Sequence, residues 1–466
     1  MSQILENKMV QMRITNLEYK FDDMTEKEVV HSIQRIYLEE TGKPLEVNIE
    51  IERMDTYSQQ FTSDAKGTAI ILDSEGDEGE IKEIVFISRG SETNNDWIDN
   101  VFGIGVGTGG AQYARDSTTF IDIVNEKNKT ADNVPIYSLA HSKGHNTVAT
   151  IQLRDEYFSE VNTFNGAQSN TIQQIIYDED FRFEVRRKFN VSDLDSIRSI
   201  PPEELEAFAK DYYEDKGTNI HQTRSTSDFL YALDAMPGMF VVGNVQEHQT
   251  DHVNDGFVGA MDAISKEDLQ LISHFLAPYG EVYAEDGVDG LLQSALDEAY
   301  QFYVNNPEAD PIDFDSVRDS MGGLVKGLRD AGYLSEEDAE DLRTELIRLV
   351  DDVEPIYESM YEGEGFHPQR MWEDFVHSFM TYNFSTKQRM EKIDELFAVV
   401  GEAAYDHHSL EALMNELAVG KSYQGGEMYL ELGGGPGGQG QIKLNLSKTL
   451  DAYAAITRCW MSKMRC

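Results

Sequence analysis

A serine lies in a short turn between an apolar segment and a helix-like segment. Residues 134–139 are short and apolar enough for a buried strand, and small residues follow in 145–153, as in a packed helix. The turn between them, residues 140–144, reads AHSKG. A strand that enters a helix through small-x-Ser-x-Gly forms a nucleophile elbow, which raises the serine hydroxyl above the carboxyl edge of a parallel sheet. Ser142 is therefore the candidate nucleophile, and the Lys143 amide is placed to stabilise an oxyanion.

Such a turn needs small residues beside the serine, because the backbone around it leaves almost no space for a Cβ atom. Gly144 meets this need. Ala140 is one methyl group larger than the usual glycine, and His145 stands where many elbows carry another glycine. Taken alone, the pattern is equally consistent with a serine that caps a helix N-terminus. The choice between the two interpretations depends on other segments.

Acyl transfer by a serine also needs a base within hydrogen-bond reach and an acid that orients it. In an α/β-hydrolase these follow along the chain in the order Ser, Asp, His. Asp228 comes after a predicted strand and before an apolar run, so it is the candidate acid; the alternative role is a helix N-cap. The candidate base is His252, in the loop after a predicted last core strand at 239–245, and His248 is the alternative base.

Other chemistry is less well supported by the sequence. His248 and His252 have the i, i+4 spacing of metal ligands, but no third ligand with a zinc-protease pattern accompanies them, so neither a metal nor another cofactor is predicted. The glycine-rich residues 103–110 lack the lysine of a phosphate-binding loop. His141 and His145 are interpreted as packing residues.

Two further segments favour the interpretation of the serine turn as a nucleophile elbow. Upstream, residues 84–91 read IVFISRGS and are followed by Asp96-Trp97; downstream, residues 226–237 contain Asp228 and end in proline. With the 140–144 turn, they resemble the lipases of the fungal-lipase-like group, also called class 3. The resemblance implies an α/β-hydrolase in which Ser91 contributes an amide and a hydroxyl to the oxyanion hole and Asp228 is the acid. It also implies a lipid ester substrate, with phospholipid ahead of triglyceride.

Composition limits the classes of partner. The chain has 85 acidic and 39 basic residues and a formal charge of -46, which repels the phosphate backbone of nucleic acids. Its two cysteines, Cys459 and Cys466, indicate no disulfide framework. No secretory signal and no apolar stretch of membrane-spanning length is apparent, so synthesis in the cytoplasm is expected, with export only by a leaderless route.

The predicted architecture has two parts. Residues 1–280 form an α/β-hydrolase domain with a mostly parallel sheet and helices on both faces. Residues 281–466 form an all-α region of acidic amphipathic helices with a glycine-rich linker at 432–440. This domain order resembles Gram-positive lipase effectors of type VII secretion, which implies small helical secretion partners, a neutralising immunity protein and toxin activity.

Two alternatives from other classes remain open. The first is a catalytically inactive hydrolase scaffold whose helical tail binds partners. The second is an intracellular esterase for small soluble esters. A serine hydrolase acting on lipid esters is the primary prediction.

Overall fold

The computed structural model describes residues 4–63, 65–73, 81–90, 110–128, 134–193, 196–197, 200–251, 258, 313–359, 384–432 and 442–452. In this part of the chain twelve strands form: β1 Asn48–Arg53, β2 Gly67–Asp73, β3 Ile81–Ser88, β4 Ile136–His141, β5 Glu160–Phe164, β6 Ser169–Asn170, β7 Ile220–Ser225, β8 Met239–Phe240, β9 Asn244–His248, β10 Lys421–Gln424, β11 Glu427–Leu432 and β12 Ile442–Asn445.

Seven of these strands form a central, mostly parallel sheet with the order β1-β2-β3-β4-β5-β7-β9. The pairings β1-β2 and β2-β3 are antiparallel, and the four pairings from β3 to β9 are parallel. The carboxyl ends of β3, β4, β5, β7 and β9 therefore meet at one edge, where ligands bind in open α/β sheets. The predicted α/β class is confirmed.

Helices cover the sheet and extend beyond it. They are α1 Lys8–Glu18, α2 Glu26–Thr41, α3 Ala111–Asn128, α4 Lys143–Asp155, α5 Thr171–Tyr177, α6 Glu179–Phe189, α7 Pro202–Tyr213, α8 Phe229–Ala232, α9 Phe314–Asp330, α10 Glu336–Ser359, α11 Phe384–His408 and α12 Leu410–Leu417. Helix α2 shows how local sequence sets a boundary, because Thr25 and Glu28 form a reciprocal capping box at its start. None of the described helices is both long and apolar enough to cross a membrane.

The strand predicted at 239–245 is wrong in position. Strand β8 pairs with β6 outside the central sheet, and the last strand of the central sheet is β9. Gly243 separates the two with φ 82°, and a Cβ atom there would lie 2.4 Å from a β7 carbonyl oxygen. Because only glycine tolerates this turn, the apolar run is divided, and His248 is the last residue of a strand instead of part of the following loop.

The sequence predicts an all-α C-terminal region, and the structure corrects this. Besides α9 to α12, the described residues contain the antiparallel sheet β10-β11-β12. Gly425 and Gly426 connect β10 to β11, and both have positive φ, as a two-residue type I′ hairpin requires. The predicted linker at 432–440 begins with the last residue of β11, and its other residues lie outside the described ones.

The two predicted domains share hydrophobic clusters. One cluster joins the segment after β7 to helices α9, α10 and α11; it includes Phe229, Leu230, Met239, Leu328, Tyr333, Leu342 and Ile393. Another joins α1 and β5 to α12 and the small sheet; it includes Met12, Phe164, Leu410, Leu413, Met414, Tyr423 and Met428. The boundary at residue 280 lies outside the described residues and stays a prediction. The described C-terminal elements pack directly against α1, β5 and the segment after β7.

A buried ion cluster reinforces the packing of α12 and the small sheet against the N-terminal helices. The Glu40 carboxylate accepts hydrogen bonds from the Arg13 guanidinium (2.8 Å) and the Tyr423 hydroxyl (3.0 Å), and it pairs with the Lys421 ammonium. The side chain of Glu40 is fully buried. An α2 carboxylate therefore holds the hairpin that follows α12 against the N-terminal helices.

Candidate active site

The turn between β4 and α4 has the strained geometry expected of a nucleophile elbow. Ser142 has φ 58° and ψ −133°, a conformation that costs a non-glycine residue about 1–3 kcal/mol. Backbone bonds hold it there: its amide donates to the Phe164 carbonyl (3.3 Å), and its carbonyl accepts from the amides of His145 (3.0 Å) and Ala167 (3.1 Å). Ser142 therefore stands at the carboxyl edge of the sheet and at the N-terminal, electropositive end of α4.

Close backbone and side-chain contacts explain why the residues around Ser142 are small. A Cβ atom on Gly144 would lie 2.2 Å from the Ser88 carbonyl oxygen, and one on Gly90 would lie 2.5 Å from the Ser142 Cβ. His145 replaces a usual glycine without a clash because Gly166 faces it, where an added Cβ would lie 2.3 Å from the His145 Cβ. The departure at His145 is thus accommodated by a second glycine elsewhere.

Asp228 follows β7 and makes a buried contact that a catalytic acid requires. Its Oδ2 lies 2.8 Å from Nδ1 of His408, while Oδ1 accepts from the Leu230 amide at the start of α8. Asp228 is 1% exposed and His408 is 6% exposed. Oδ1 therefore caps α8, and Oδ2 contacts an imidazole, which is compatible with the predicted role of acid.

His408 lies beside the nucleophile turn. Its ring stacks on that of His141, the residue before Ser142, with centroids 4.5 Å apart, and Phe229 packs against it at 5.5 Å. In the described part of the chain, its Nε2 atom is buried and has no hydrogen-bond partner. An imidazole with Nδ1 on a carboxylate and Nε2 unoccupied has the arrangement of a general base.

The predicted site residues have different outcomes. Ser142 and Asp228 are both at the carboxyl edge of the sheet, and His408 contacts Asp228 directly and stacks on His141, the residue before Ser142. Ser91 and His252 lie outside the described residues. His248 ends β9 and is partly exposed; burial is the main cause that lowers its pKa, and the described partner of Asp228 is His408.

Lys143 is the first residue of α4, so its amide belongs to the helix N-terminus beside Ser142. Its side chain is 7% exposed, and its ammonium lies 3.2 Å from the centroid of the Tyr113 ring, a cation–π contact. The side chain is thereby held against α3.

His408 is the residue that the sequence analysis missed. It follows Asp228 by 180 residues, after the whole of α9 and α10 and at the last residue of α11. A local signal exists, since His408 directly precedes Ser409, whose hydroxyl caps α12 by accepting from the Ala412 amide (3.2 Å). His408 lies at the junction of α11 and α12, so these two helices fix the direction of its backbone. No spacing in the sequence, however, relates His408 to Ser142.

Two buried groups near the site have shifted pKa values. Burial, followed by the charge of His408, holds the pKa of His141 well below its ordinary value, so His141 is neutral. Burial raises the pKa of the Glu18 carboxyl to about 8, against the opposing effect of a hydrogen bond from Thr68. Arg89 is buried and paired with Asp22 (3.2 Å).

No group of three or more His, Cys, Asp or Glu side chains in the described residues is arranged to hold a metal ion. The alternative metal pair of His248 and His252 cannot be placed, because His252 is outside that part of the chain.

Comparisons with known proteins place the chain in a family. A family profile described as a domain of unknown function (DUF6792) matches residues 9–249. The match covers more than half of the 466 residues, so the chain belongs to this family. The chain is also similar to the uncharacterized protein YvcB of Bacillus subtilis (strain 168), with 28% identity over 515 aligned residues that cover 97% of this chain and 79% of YvcB. The family match contains Ser142 and Asp228 and ends before His408.

Proposed function

We propose that this member of the DUF6792 family is a serine ester hydrolase of the α/β-hydrolase type. Ser142 is the nucleophile, His408 the general base and Asp228 the acid that orients it. The observation that carries the proposal is the buried 2.8 Å contact between Asp228 and His408 beside the strained serine turn. A carboxylate and an imidazole that merely packed together would not need a neighbouring serine held in a conformation that destabilises the fold.

The reaction follows from these positions. The Ser142 hydroxyl attacks the ester carbonyl as Nε2 of His408 accepts its proton, and Asp228 stabilises the resulting imidazolium through Nδ1. The imidazolium then gives the proton to the leaving alcohol, which leaves an acyl-serine. Water, deprotonated by His408, attacks this ester; the serine leaves with a proton from the imidazolium, and the carboxylic acid is released.

The oxyanion of each tetrahedral intermediate needs aligned donors. The Lys143 amide is one, because it is the first amide of α4, directly after Ser142, where the helix dipole favours negative charge. Ser91 is the second, as the sequence resemblance implies. Gly90, its neighbour, packs against Ser142 with no space for a side chain, which brings the start of that segment to the nucleophile.

Lipid esters, with phospholipids ahead of triglycerides, are the proposed substrates, and this part rests on the resemblance to class 3 lipases. Service as a leaderless secreted effector, with small helical secretion partners and an immunity protein, rests on domain order in the same way. A pull-down from the producing cell that recovers no small helical protein would count against this route.

An inactive scaffold and a small-ester esterase are the alternatives. A scaffold has no need of an unoccupied, carboxylate-oriented imidazole next to a strained serine, so the His408 geometry favours an enzyme. A substrate series separates the two enzymes. A lipase prefers long acyl chains at an interface, whereas a small-ester esterase prefers short, soluble p-nitrophenyl esters.

The decisive experiment is labelling by a fluorophosphonate, which reacts with activated serines. The wild type is expected to be labelled, and Ser142→Ala is expected to lose the label while keeping the wild-type circular dichroism spectrum and melting temperature. Because an apolar interface can open a covered site, each protein is tested with and without detergent micelles. A folded wild type that remains unlabelled in both conditions would refute the proposal.

A further inference from the structure

The proposed mechanism requires the His408 ring to be held in one position, and its contact with Asp228 is not sufficient for this. It is the last residue of α11, so its carbonyl oxygen has no partner within that helix. The Asp228 contact fixes one ring nitrogen but leaves the ring free to pivot about it. A base displaced by about 1 Å can lose about 100-fold in rate, so the main chain of His408 must also be held.

Two side chains from the carboxyl edge of the sheet hold that carbonyl. The His408 oxygen accepts from Nε2 of His141 (3.1 Å) and from Nδ2 of Asn165 (3.0 Å). Both donors are buried and belong to the sheet edge around the nucleophile: His141 precedes Ser142, and Asn165 follows β5. The end of α11 is therefore fastened to the scaffold that carries the nucleophile.

The donor role of His141 fixes its protonation. Since Nε2 must carry a proton to donate to a carbonyl, the neutral ring has Nδ1 as an acceptor. The Tyr19 hydroxyl lies 2.7 Å from this Nδ1 and donates to it, and the Tyr19 oxygen accepts from the Gly90 amide (3.1 Å). Each polar atom of this chain has one consistent role.

We propose that Tyr19 and His141 form a positioning relay, in which Gly90, packed against Ser142, and the general base His408 are held in one hydrogen-bonded unit. The relay runs from the Gly90 amide through the Tyr19 hydroxyl and the His141 ring to the His408 carbonyl. Neither Tyr19 nor His141 takes part in the reaction. This inference rests on the proposed hydrolase function.

The relay also keeps a neutral His141 ring stacked against the His408 ring. His141 stacks on His408 with an angle of 28° between the rings. A neutral imidazole in this place does not repel the imidazolium that forms during catalysis, whereas a protonated one would. Burial keeps the pKa of His141 low, and the Tyr19 donor occupies the atom where a second proton would bind.

The test compares three variants with one control, using the saturating rate and the half-saturation concentration of fluorophosphonate labelling. Tyr19→Phe removes the hydroxyl, His141→Leu removes the donor to His408, and His141→Gln retains an amide donor near the position of Nε2. The control is Tyr213→Phe, which also removes a buried hydroxyl, but one that donates to Asp178 (2.9 Å).

The saturating rate is expected to fall about 10- to 100-fold in Tyr19→Phe and His141→Leu, with half-saturation unchanged, because position and not binding is lost. His141→Gln is expected to retain most of the rate, and Tyr213→Phe all of it. Wild-type rates in Tyr19→Phe and His141→Leu, or equal losses in the Gln and Leu variants, would overturn the relay while leaving the hydrolase intact. An unlabelled folded wild type would instead overturn the proposed function, and the relay with it.

Discussion

The assignment of His408 as the base can be tested by replacing it with asparagine. His408→Asn retains a donor near the position of Nδ1, where Asp228 needs one, and removes Nε2, the atom that accepts the serine proton. Removing one member of a serine triad costs roughly 10⁴- to 10⁶-fold in rate. At about 1.4 kcal/mol for each factor of ten, this corresponds to about 5–8 kcal/mol of lost transition-state stabilisation.

The choice of asparagine also limits the loss of stability. Asp228 is 1% exposed, and an unpaired buried charge costs about 3–5 kcal/mol, enough to unfold a marginal protein. His408→Ala would therefore confuse unfolding with inactivity, whereas His408→Asn keeps the carboxylate paired. The melting temperature is measured beside the labelling rate, and only variants with a wild-type transition are compared.

The same substitution in the two other candidate bases supplies the matched controls. His248→Asn and His252→Asn are expected to label at the wild-type rate, because Asp228 is engaged by His408. If His408→Asn labels normally and His252→Asn does not, the base is His252 and the role given to His408 is refuted. If all three label normally, none of these three histidines activates Ser142, and the triad proposed here fails.

Three further predictions concern the residues that support the site. Gly144→Ala places a methyl group 2.2 Å from a β3 carbonyl oxygen, so we expect a loss of about 1–3 kcal/mol in the free energy of unfolding and at least a tenfold slower labelling of the nucleophile; a wild-type rate would contradict the steric argument. For Glu18 the pKa rises from 4.5 to about 8 on folding, so the folded state binds more protons and stability falls as pH rises between those values. Glu18→Gln should remove that fall, about 5 kcal/mol in total, in urea titrations at pH 5, 7 and 8.5, and an unchanged slope would show that another group is responsible. Glu40→Ala removes the charge partner of Lys421 and one of the two carboxylates on Arg13, which keeps Glu39, so it should lower the free energy of unfolding by about 1.5–3 kcal/mol in urea denaturation, while a change below about 1 kcal/mol would mean that the cluster contributes little.

The sequence was informative where chemistry and local structure coincide. The turn at Ser142 could be predicted because a strained strand-to-helix connection restricts its neighbours to small residues. Asp228 could be predicted because it follows a strand whose end must reach the same edge of the sheet. The start of α2 is equally local, because Thr25 and Glu28 form its capping box within four residues.

The base could not be predicted in this way. The chain has 11 histidines, and the order Ser, Asp, His leaves every histidine after Asp228 as a candidate. Only tertiary packing selects among them, and here the selection depends on helices that bring residue 408 back to the sheet. The division at Gly243 was missed for a related reason: an apolar run indicates burial, but it does not show which sheet the strand joins.

These contacts change the meaning of the C-terminal region. It is predicted from sequence as a module for targeting or partner binding, separate from catalysis. In the structure Tyr333, after α9, donates its hydroxyl to the Ser227 carbonyl (3.2 Å) beside Asp228, the proposed acid, and α11 ends at His408, the proposed base. A region that contacts the segment of one proposed triad residue and contains another is packed as part of the same unit as the sheet that carries Ser142. Under the proposed function, a partner that binds these helices acts on the elements that position His408.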